Sequence, residues 1–428
     1  MKTKKTAAWL HSDLKNLTGT GKTMNTQTYL NCTEEKIQDK SFRTQHQSVE
    51  IQSYNKHYKA EICPDITQLQ KLSELKDACF VIDRNVYSLY REQLFWEIPE
   101  SRLFVLDATE ENKTAATALS ICEWMSGLPA RRNAWLVSFG GGITQDVTGF
   151  AANILYRGVH WIFLPTTLLA ACDSCIGGKT SLNYGPFKNL LGTFYAPDSI
   201  YICPQFFHTL SDRDFYSGLG EVVKFSLMTG ETGIRLLEQN IDRLLAREES
   251  AVWEFLLRSL NFKKPFIEAD EFDRGVRIQL NFAHTFGHAL ETASRYAVAH
   301  GTAVAMGMIA ANRISVQRGY LSAALARRME ALLLRIIPKE AVTALNQSGN
   351  SMQDAEHAES TGCRIRMEQI TDAMKKDKKQ TGTAITTVLL KESPAGKLSL
   401  QITPDTEERE AAQAAEYLYQ VLNSKLLS

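Results

Sequence analysis

Residues 134–146 read AWLVSFGGGITQD. An apolar and aromatic run from Ala134 to Phe139 stops at three glycines, Gly140, Gly141 and Gly142. A short unbroken apolar run bounded by glycine predicts a strand buried on both faces, as in a parallel sheet. Glycines at its end let a phosphate come close to backbone N–H groups, and a following helix N-terminus favours its negative charge. Taken alone, the glycine run fits a plain tight turn equally well.

The stretches on either side repeat the pattern. SVEIQSYNKHYKAEI, from Ser48, alternates like a strand pair, while ACFVIDRN and RLFVLD are short apolar runs ending in polar turns. AATALSICEWMSGL, between RLFVLD and the glycine strand, has helical spacing. Strand–helix–strand in this rhythm predicts a parallel sheet with helices on its faces. Beyond about Asp212 the spacing turns helical in SGLGEVVKFSLM, AVWEFLLRSLNFKKPFIEA, RIQLNFAHTFGHALETAS and GTAVAMGMIAANRISVQRG. TAITTVLLKE reads as a late strand before a closing helix near residues 407–425.

The expected fold is therefore an N-terminal Rossmann-like α/β nucleotide-binding domain followed by an all-helical metal-binding domain. The expected division is a flexible extension over residues 1–47, the α/β domain over 48–212, and a mainly helical metal- and substrate-binding domain over 213–428. The extension is polar and rich in Thr, Lys, Asn and Gln. Its LTGTGKT run lacks the first glycine of a phosphate-binding loop, because Asn16 stands there.

The chain has 428 residues, with 48 Lys+Arg and 48 Asp+Glu. That balance gives no general attraction to nucleic acid or an anionic membrane. No run of 18 apolar residues occurs, and the positively charged start lacks the apolar core of a secretory signal. Of the eight cysteines only Cys172 and Cys175 form a CxxC, and a zinc ribbon needs a second pair. Reduced thiols in a soluble cytoplasmic protein are expected.

Three constellations carry chemistry. The first is Gly140 to Asp146, with Asp83 and Asn85 at an earlier strand end, where they could hold a ribose. The second is CDSCIGGKTSLNYGPFKNLLG, residues 172–192, which sets Asp173, Lys179, Lys188 and Asn189 among glycines. Lysines and amides in such a loop suit a phosphate or carboxylate. The third is Glu221 with Lys224 on one helix, His284 and His288 four apart, and His300 twelve beyond. A carboxylate and imidazoles suit a divalent metal with an open coordination position. Spacing alone selects His284 and His288 as ligands, since both project from one helical face.

Set out in order, these motifs resemble the 3-dehydroquinate synthase family of sugar phosphate cyclases. The resemblance runs from Asp83 to about Lys379. It takes in Asp83-x-Asn85, Glu110-x-x-Lys113, the glycine run with Asp146, Arg157-Gly158, Pro165-Thr166-Thr167, DSxIGGKT and Lys188-Asn189. GxxEVVKF, RxxLNxxHTFGHALE, His300-Gly301 and Asp377-Lys378-Lys379 follow.

The resemblance implies a division of roles. The metal ligands, to zinc or cobalt, would be Glu221, His284 and His300, with His288 facing the substrate or standing behind the ligands. NAD would lie on Gly140, Gly141, Gly142 and Asp146, among Asp83, Asn85, Glu110, Lys113, Thr166, Thr167 and Lys188. Lys179, Asn189, Asn281 and Lys378 would hold the substrate anions together with Lys263 and Arg277. Lys224, Asp173 and His288 would act near the reacting oxygen. Arg157 would reach a neighbouring subunit's site, implying a homodimer.

The implied activity uses NAD catalytically to turn a phosphorylated keto-sugar into a carbocycle with loss of phosphate. Cationic Arg277 and Lys263 favour a substrate with a carboxylate, as in 3-deoxy-arabino-heptulosonate 7-phosphate. Gln145, Cys175 and Gly220 stand where the family pattern has Gly, Ser and Ala, which suggests a specialised member. Alternatives are a cyclase of secondary metabolism (aminodehydroquinate, 2-epi-5-epi-valiolone or 2-deoxy-scyllo-inosose type), a metal-dependent alcohol dehydrogenase of related fold, and an inactive paralogue.

Overall fold

The computed structural model describes residues 48–427, apart from residue 55 and residues 129–132, 186, 348–366 and 376–384. The expected extension over residues 1–47 and the expected anion-binding Lys378 lie outside the described residues.

Strands β1 (Ser48–Gln52), β2 (His57–Ile62), β3 (Ala78–Asp83), β4 (Leu103–Leu106), β5 (Trp135–Gly140) and β6 (His160–Pro165) come first in the chain. β7 (Lys179–Tyr184) and β8 (Phe187–Phe194) form a separate antiparallel hairpin, and β9 (Ser199–Ile202) returns to the main sheet. That seven-stranded sheet has the order β1-β2-β9-β6-β5-β3-β4, parallel throughout except for the β1–β2 pair. Helices α1 (Arg84–Tyr90), α2 (Ala115–Ser126) and α3 (Gly142–Ile154) lie between its strands. The chain leaves β3 toward β4 at one edge, then returns to lay down β5, β6 and β9 on the other side. The crevice between the carboxyl ends of β3 and β5 is therefore a topological switch point, where open α/β sheets place ligands. Gly140 and Asp83 stand at its two lips.

The helix-rich part contains α4 (Asp212–Met228), α5 (Glu231–Leu245), α6 (Glu249–Ala269), α7 (His284–Ala293), α8 (His300–Gln317), α9 (Ala323–Ile336), α10 (Lys339–Gln347), α11 (Met367–Lys375) and α12 (Glu408–Leu427). α4 is buried on every side from Ser217 to Met228, and α8 is nearly so, which makes them the central helices of this part. They touch backbone to backbone. A Cβ on Gly220 would sit 1.9 Å from the Gly301 carbonyl oxygen, and one on Gly301 would sit 1.8 Å from that of Ser217. Gly220 thus permits the crossing that sets Glu221 beside His300.

Three expectations are corrected. The C-terminal part is helix-rich but not all-helical, because β10 (Ile385–Glu392) and β11 (Leu398–Thr406) form an antiparallel hairpin. The stretch expected as one helix over residues 277–294 is broken: a 3₁₀ turn ends at Asn281, Ala283 adopts a left-handed φ of 66°, and α7 starts at His284. The Gly-rich anion loop is the β7–β8 hairpin. Among the described residues no helix is long and apolar enough to cross a membrane.

Candidate active site

The helical half of the cleft centres on Glu221. Its side chain is fully buried, and its Oε1 lies 3.5 Å from His284 Nε2 and 3.5 Å from His300 Nε2. Oε1 has no hydrogen-bond donor, and Oε2 meets only the Lys224 ammonium, one helical turn along α4. An acceptor this deeply buried is costly to leave without a donor. Bonds of ~2.1 Å in a tetrahedral zinc site separate ligand atoms by about 3.4 Å, so the observed spacing suits an ion better than it suits hydrogen bonds. Glu221, His284 and His300 form one group of side chains able to hold a metal; His288, Glu291 and His300 form another.

Second partners orient the two imidazoles. His284 Nδ1 lies 3.1 Å from the Phe282 carbonyl oxygen, and His300 Nδ1 lies 3.0 Å from Glu291 Oε2. Each contact places a proton on Nδ1 and turns Nε2 toward Glu221, the orientation of histidines that ligate metals. Burial by itself lowers the His300 pKa, but Glu291 and Glu221 outweigh it and hold the ring up to about 10. A cation bound there displaces a proton. His288 stands beside both rings, at centroid distances of 5.4 and 5.9 Å, outside the set around Glu221.

Next to this group lies a cluster of buried cations. Lys224 Nζ donates to the Leu280 carbonyl at 3.1 Å, across the turn that leads into α7. Lys263, on α6, pairs with Asp173 at 2.7 Å and donates to the Ile176 carbonyl at 3.2 Å. Burial would raise the Asp173 carboxyl, but Lys263 and Lys224 overcome it and hold the group well below the usual carboxylate range. The Arg277 guanidinium donates to the Gly177 carbonyl at 3.2 Å and to that of Glu271 at 2.6 Å. Part of its capacity is therefore spent shaping the loop before β7. Burial lowers the Lys179 pKa despite its pairing with Asp273. Asn281, partly buried, ends the 3₁₀ turn just before His284.

The sheet half has a different texture. At the switch point a Cβ on Gly140 would fall 2.3 Å from Thr144 Oγ1, so only glycine keeps this turn. α3 starts at Gly142 with no side-chain cap, which leaves its first N–H groups facing the cleft. Asp146 accepts from Ser181 N at 3.0 Å and Ser181 Oγ at 2.9 Å, and it pairs with Lys113 at 2.6 Å. Lys113 also donates to Asn189 Oδ1 at 2.6 Å. Burial pushes the Asp146 carboxyl up against these partners. Lys188 pairs with Glu110 at 3.1 Å, and Asn183 donates to the same Glu110 carboxylate at 2.8 Å. Thr166 and Thr167 follow β6, and Thr166 N donates to the Gly140 carbonyl at 2.9 Å. Asp83 Oδ1 accepts from Asn85 N at 2.8 Å, so this carboxylate caps α1 at the opposite lip.

Among the described residues, contacts link many of the expected residues within each half, and Lys263 to Asp173 and Lys188 to Tyr296 link the two halves. Arg157 makes none of these contacts and is exposed beyond α3 on a left-handed backbone (φ 65°), and Lys378 lies outside the described residues. The structure also adds residues absent from the expectation. Glu291 orients His300, Asp273 holds Lys179, and Tyr296 lies beneath Lys188. Gln145 donates to the Ser174 carbonyl and accepts from the Ser174 hydroxyl, both at 2.7 Å. The helix repeat could have found Glu291, one turn beyond His288, and Gln145 was marked only as a departure from the resembled pattern; nothing local marks Asp273 or Tyr296.

Comparison with known proteins identifies relatives of the chain and of its fold. The families described as 3-dehydroquinate synthase N-terminal and C-terminal match residues 103–217 and 218–380. A 3-dehydroquinate synthase from Clostridium tetani is 36% identical over 296 residues, covering 67% of this chain and 79% of its own length. One from Dictyoglomus thermophilum is 33% identical over 337 residues, covering 78% and 87%. Among solved structures, the 2-epi-5-epi-valiolone synthase of Streptomyces hygroscopicus, with NAD+ and Zn2+ bound, superposes with a TM-score of 0.69. It is 26% identical and covers 85% of this chain and 97% of its own.

Proposed function

The chain belongs to the 3-dehydroquinate synthase family, and we propose that it is a phosphate-eliminating carbon–oxygen lyase that converts 3-deoxy-arabino-heptulosonate 7-phosphate to 3-dehydroquinate. One observation carries the reading: the Glu221–His284–His300 set lies beside the buried cations Lys224, Lys263 and Arg277, with the more exposed Lys179 beyond them. A metal-dependent reaction on a substrate with several negative groups needs that adjacency. In the same reading NAD lies at the switch point on Gly140–Gly142, among Asp83, Asn85, Glu110, Lys113, Asp146, Thr166, Thr167 and Lys188.

When bound, a zinc or cobalt ion supplies Lewis acidity and NAD supplies reversible hydride transfer. The remaining work falls to the chain itself. Lys224 sits where it can hold a substrate oxygen next to Glu221 and stabilise negative charge there. Asp173, kept ionised by Lys263, and His288 lie where they can hold or pass a proton. Lys179, Asn189 and Asn281, with Lys263 and Arg277, bind the phosphate and carboxylate. Burial makes the charges of Lys224, Lys263 and Arg277 count for more than they would in water.

The proposal extends to a cytoplasmic homodimer, with a domain division near Asp212, the first residue of α4. The candidate contact face is apolar: Ile154, three residues before Arg157, and Tyr184, Phe187, Leu190 and Leu191 of the β7–β8 hairpin packed on α3 are all exposed. A second copy covering that face would bring Arg157 toward its neighbour's cleft.

The likeness to a valiolone synthase favours one second reading, a secondary-metabolism cyclase acting on a keto-sugar phosphate without a carboxylate. Parallel turnover with 3-deoxy-arabino-heptulosonate 7-phosphate and sedoheptulose 7-phosphate, with catalytic NAD and zinc or cobalt, separates the two. Phosphate release and carbocycle formation only from the first substrate support the proposal. Turnover only of the second replaces it with the cyclitol reading, and silence in both overturns both.

A further inference from the structure

Tyr296 lies outside every motif that marked the site, yet its backbone is unusual. Arg295 and Tyr296, on the turn after α7, both adopt left-handed conformations (φ 50° and 63°). Bulky side chains rarely sit there unless the surroundings impose it, and such outliers cluster at functional sites. This turn is held at both ends of Tyr296: its N–H donates to the Glu291 carbonyl at 2.7 Å, and its carbonyl accepts from Arg213 at 3.0 Å.

The turn delivers the ring across the cleft. Lys188 Nζ lies 3.4 Å from the Tyr296 ring centroid and 3.1 Å from Glu110 Oε1. Lys188 is on β8 and Glu110 follows β4, both in the sheet half, whereas Tyr296 belongs to the helical half. Five residues before Tyr296, Glu291 holds the Nδ1 side of His300. A continuous series of contacts therefore runs from Glu110 through Lys188 and Tyr296 to the backbone that carries Glu291, and so to His300. Each half of the cleft can sense the other only through such shared groups.

Resting on the functional reading above, we infer that Tyr296 is a positioning residue whose ring fixes the Lys188 ammonium, so that nucleotide binding and metal binding strengthen each other. The ring face attracts the cation electrostatically, and this requires an aromatic ring but not the hydroxyl. Tyr296 is partly exposed, so the turn need not be kept for packing. Reciprocity is compulsory: whatever factor zinc adds to NAD affinity, NAD must add to zinc affinity.

The test is an equilibrium titration of the full chain with NAD, with and without saturating zinc, and the converse titration with zinc. In the unaltered protein each is expected to tighten the other about fivefold. Tyr296→Phe should keep that factor and Tyr296→Leu should bring it to about one, with zinc stoichiometry unchanged. Lys188→Met, which leaves the turn intact, should also abolish the coupling, and adding Tyr296→Leu to it should change nothing more. Coupling that survives Tyr296→Leu or Lys188→Met overturns the inference, as does its loss in Tyr296→Phe. Two ligands that bind without coupling in the unaltered protein overturn it while leaving the functional reading standing. A chain that binds neither ligand overturns both.

Discussion

The two halves of the cleft solve the problem of holding charge in opposite ways. In the sheet half the central carboxylates are paired: Asp146 has Lys113 and Ser181, and Glu110 has Lys188 and Asn183. The network is partly exposed, and its hairpin leaves several apolar side chains in water. In the helical half Glu221 is fully buried, with one oxygen lacking any donor and two imidazole nitrogens turned toward it. A satisfied network rigidifies a surface and can exchange partners with a ligand at modest cost. A buried, under-satisfied acceptor needs something to bind. The sheet half is built to admit and release a large polar molecule, and the helical half to retain a small cation.

This contrast breaks first at Glu221. Glu221→Gln is isosteric but removes the charge from the metal set, leaving Lys224 buried without its counter-ion. Zinc retention should be lost and kcat should fall on the order of 10³-fold, matching the several kcal/mol expected of a Lewis acid. Metal analysis by mass spectrometry beside turnover checks both, and a variant that keeps stoichiometric zinc removes the basis of the contrast.

Glu291→Gln probes the orientation of a ligand instead of the ligand itself. It leaves Nε2 of His300 in place but weakens its Nδ1 partner. Zinc affinity should fall about 10–100-fold, while NAD affinity without metal stays as it was. A drop in metal-free NAD binding would mean that Glu291 acts on the sheet half directly and not through the metal site.

In the sheet half Lys113→Met removes the cation shared by Asp146 and Asn189. The partly buried Asp146 then loses its counter-charge, and its carboxyl, already pushed up by burial, moves further up. The dissociation constant for NAD should rise about tenfold, or ~1.4 kcal/mol, with metal content unaltered. Fluorescence titration reads the first quantity, and zinc analysis reads the second.

Legibility in the sequence follows the same divide. The sheet announced itself through unbroken apolar strands such as Ala78–Asp83 and through the glycine run after β5, because a strand buried on both faces leaves a purely local signature. The site residues were named from an ordered set of motifs, and the contacts that join them, such as Glu221 with His284 and His300 or Asp146 with Lys113, run between segments far apart in the chain. The helical half was less readable, since its geometry depends on contacts between distant segments. Spacing on one helix joined His284 to His288, whereas the structure groups His284 with His300 through a glycine crossing that no local pattern reveals. The break at Ala283 was hidden for a related reason: its left-handed φ is imposed by surrounding structure at a residue with no turn propensity of its own. Gln145 looked like a loss of glycine, and became a tether to Ser174 only once α3 and the loop before β7 were placed together.

The smallest expected effect lies where the two halves meet, at Asp173. Lys263 reaches it from α6, and the pair keeps the carboxyl ionised well below its ordinary range despite burial. A carboxyl depressed in the folded state adds stability above its unfolded pKa of about 4, and loses that contribution as pH falls through the folded value. Asp173→Asn should therefore melt a few degrees below the unaltered chain at pH 7, on the scale of ~1–2 kcal/mol for a partly exposed carboxylate paired with a buried lysine. The gap should narrow steadily as pH is lowered below about 4. Melting curves of both proteins between pH 7 and the lowest pH at which they stay folded provide the check. A gap that stays constant over that range would mean that Asp173 contributes shape and hydrogen bonding, not charge, and that the junction of the two halves behaves like the neutral Gln145–Ser174 tether beside it.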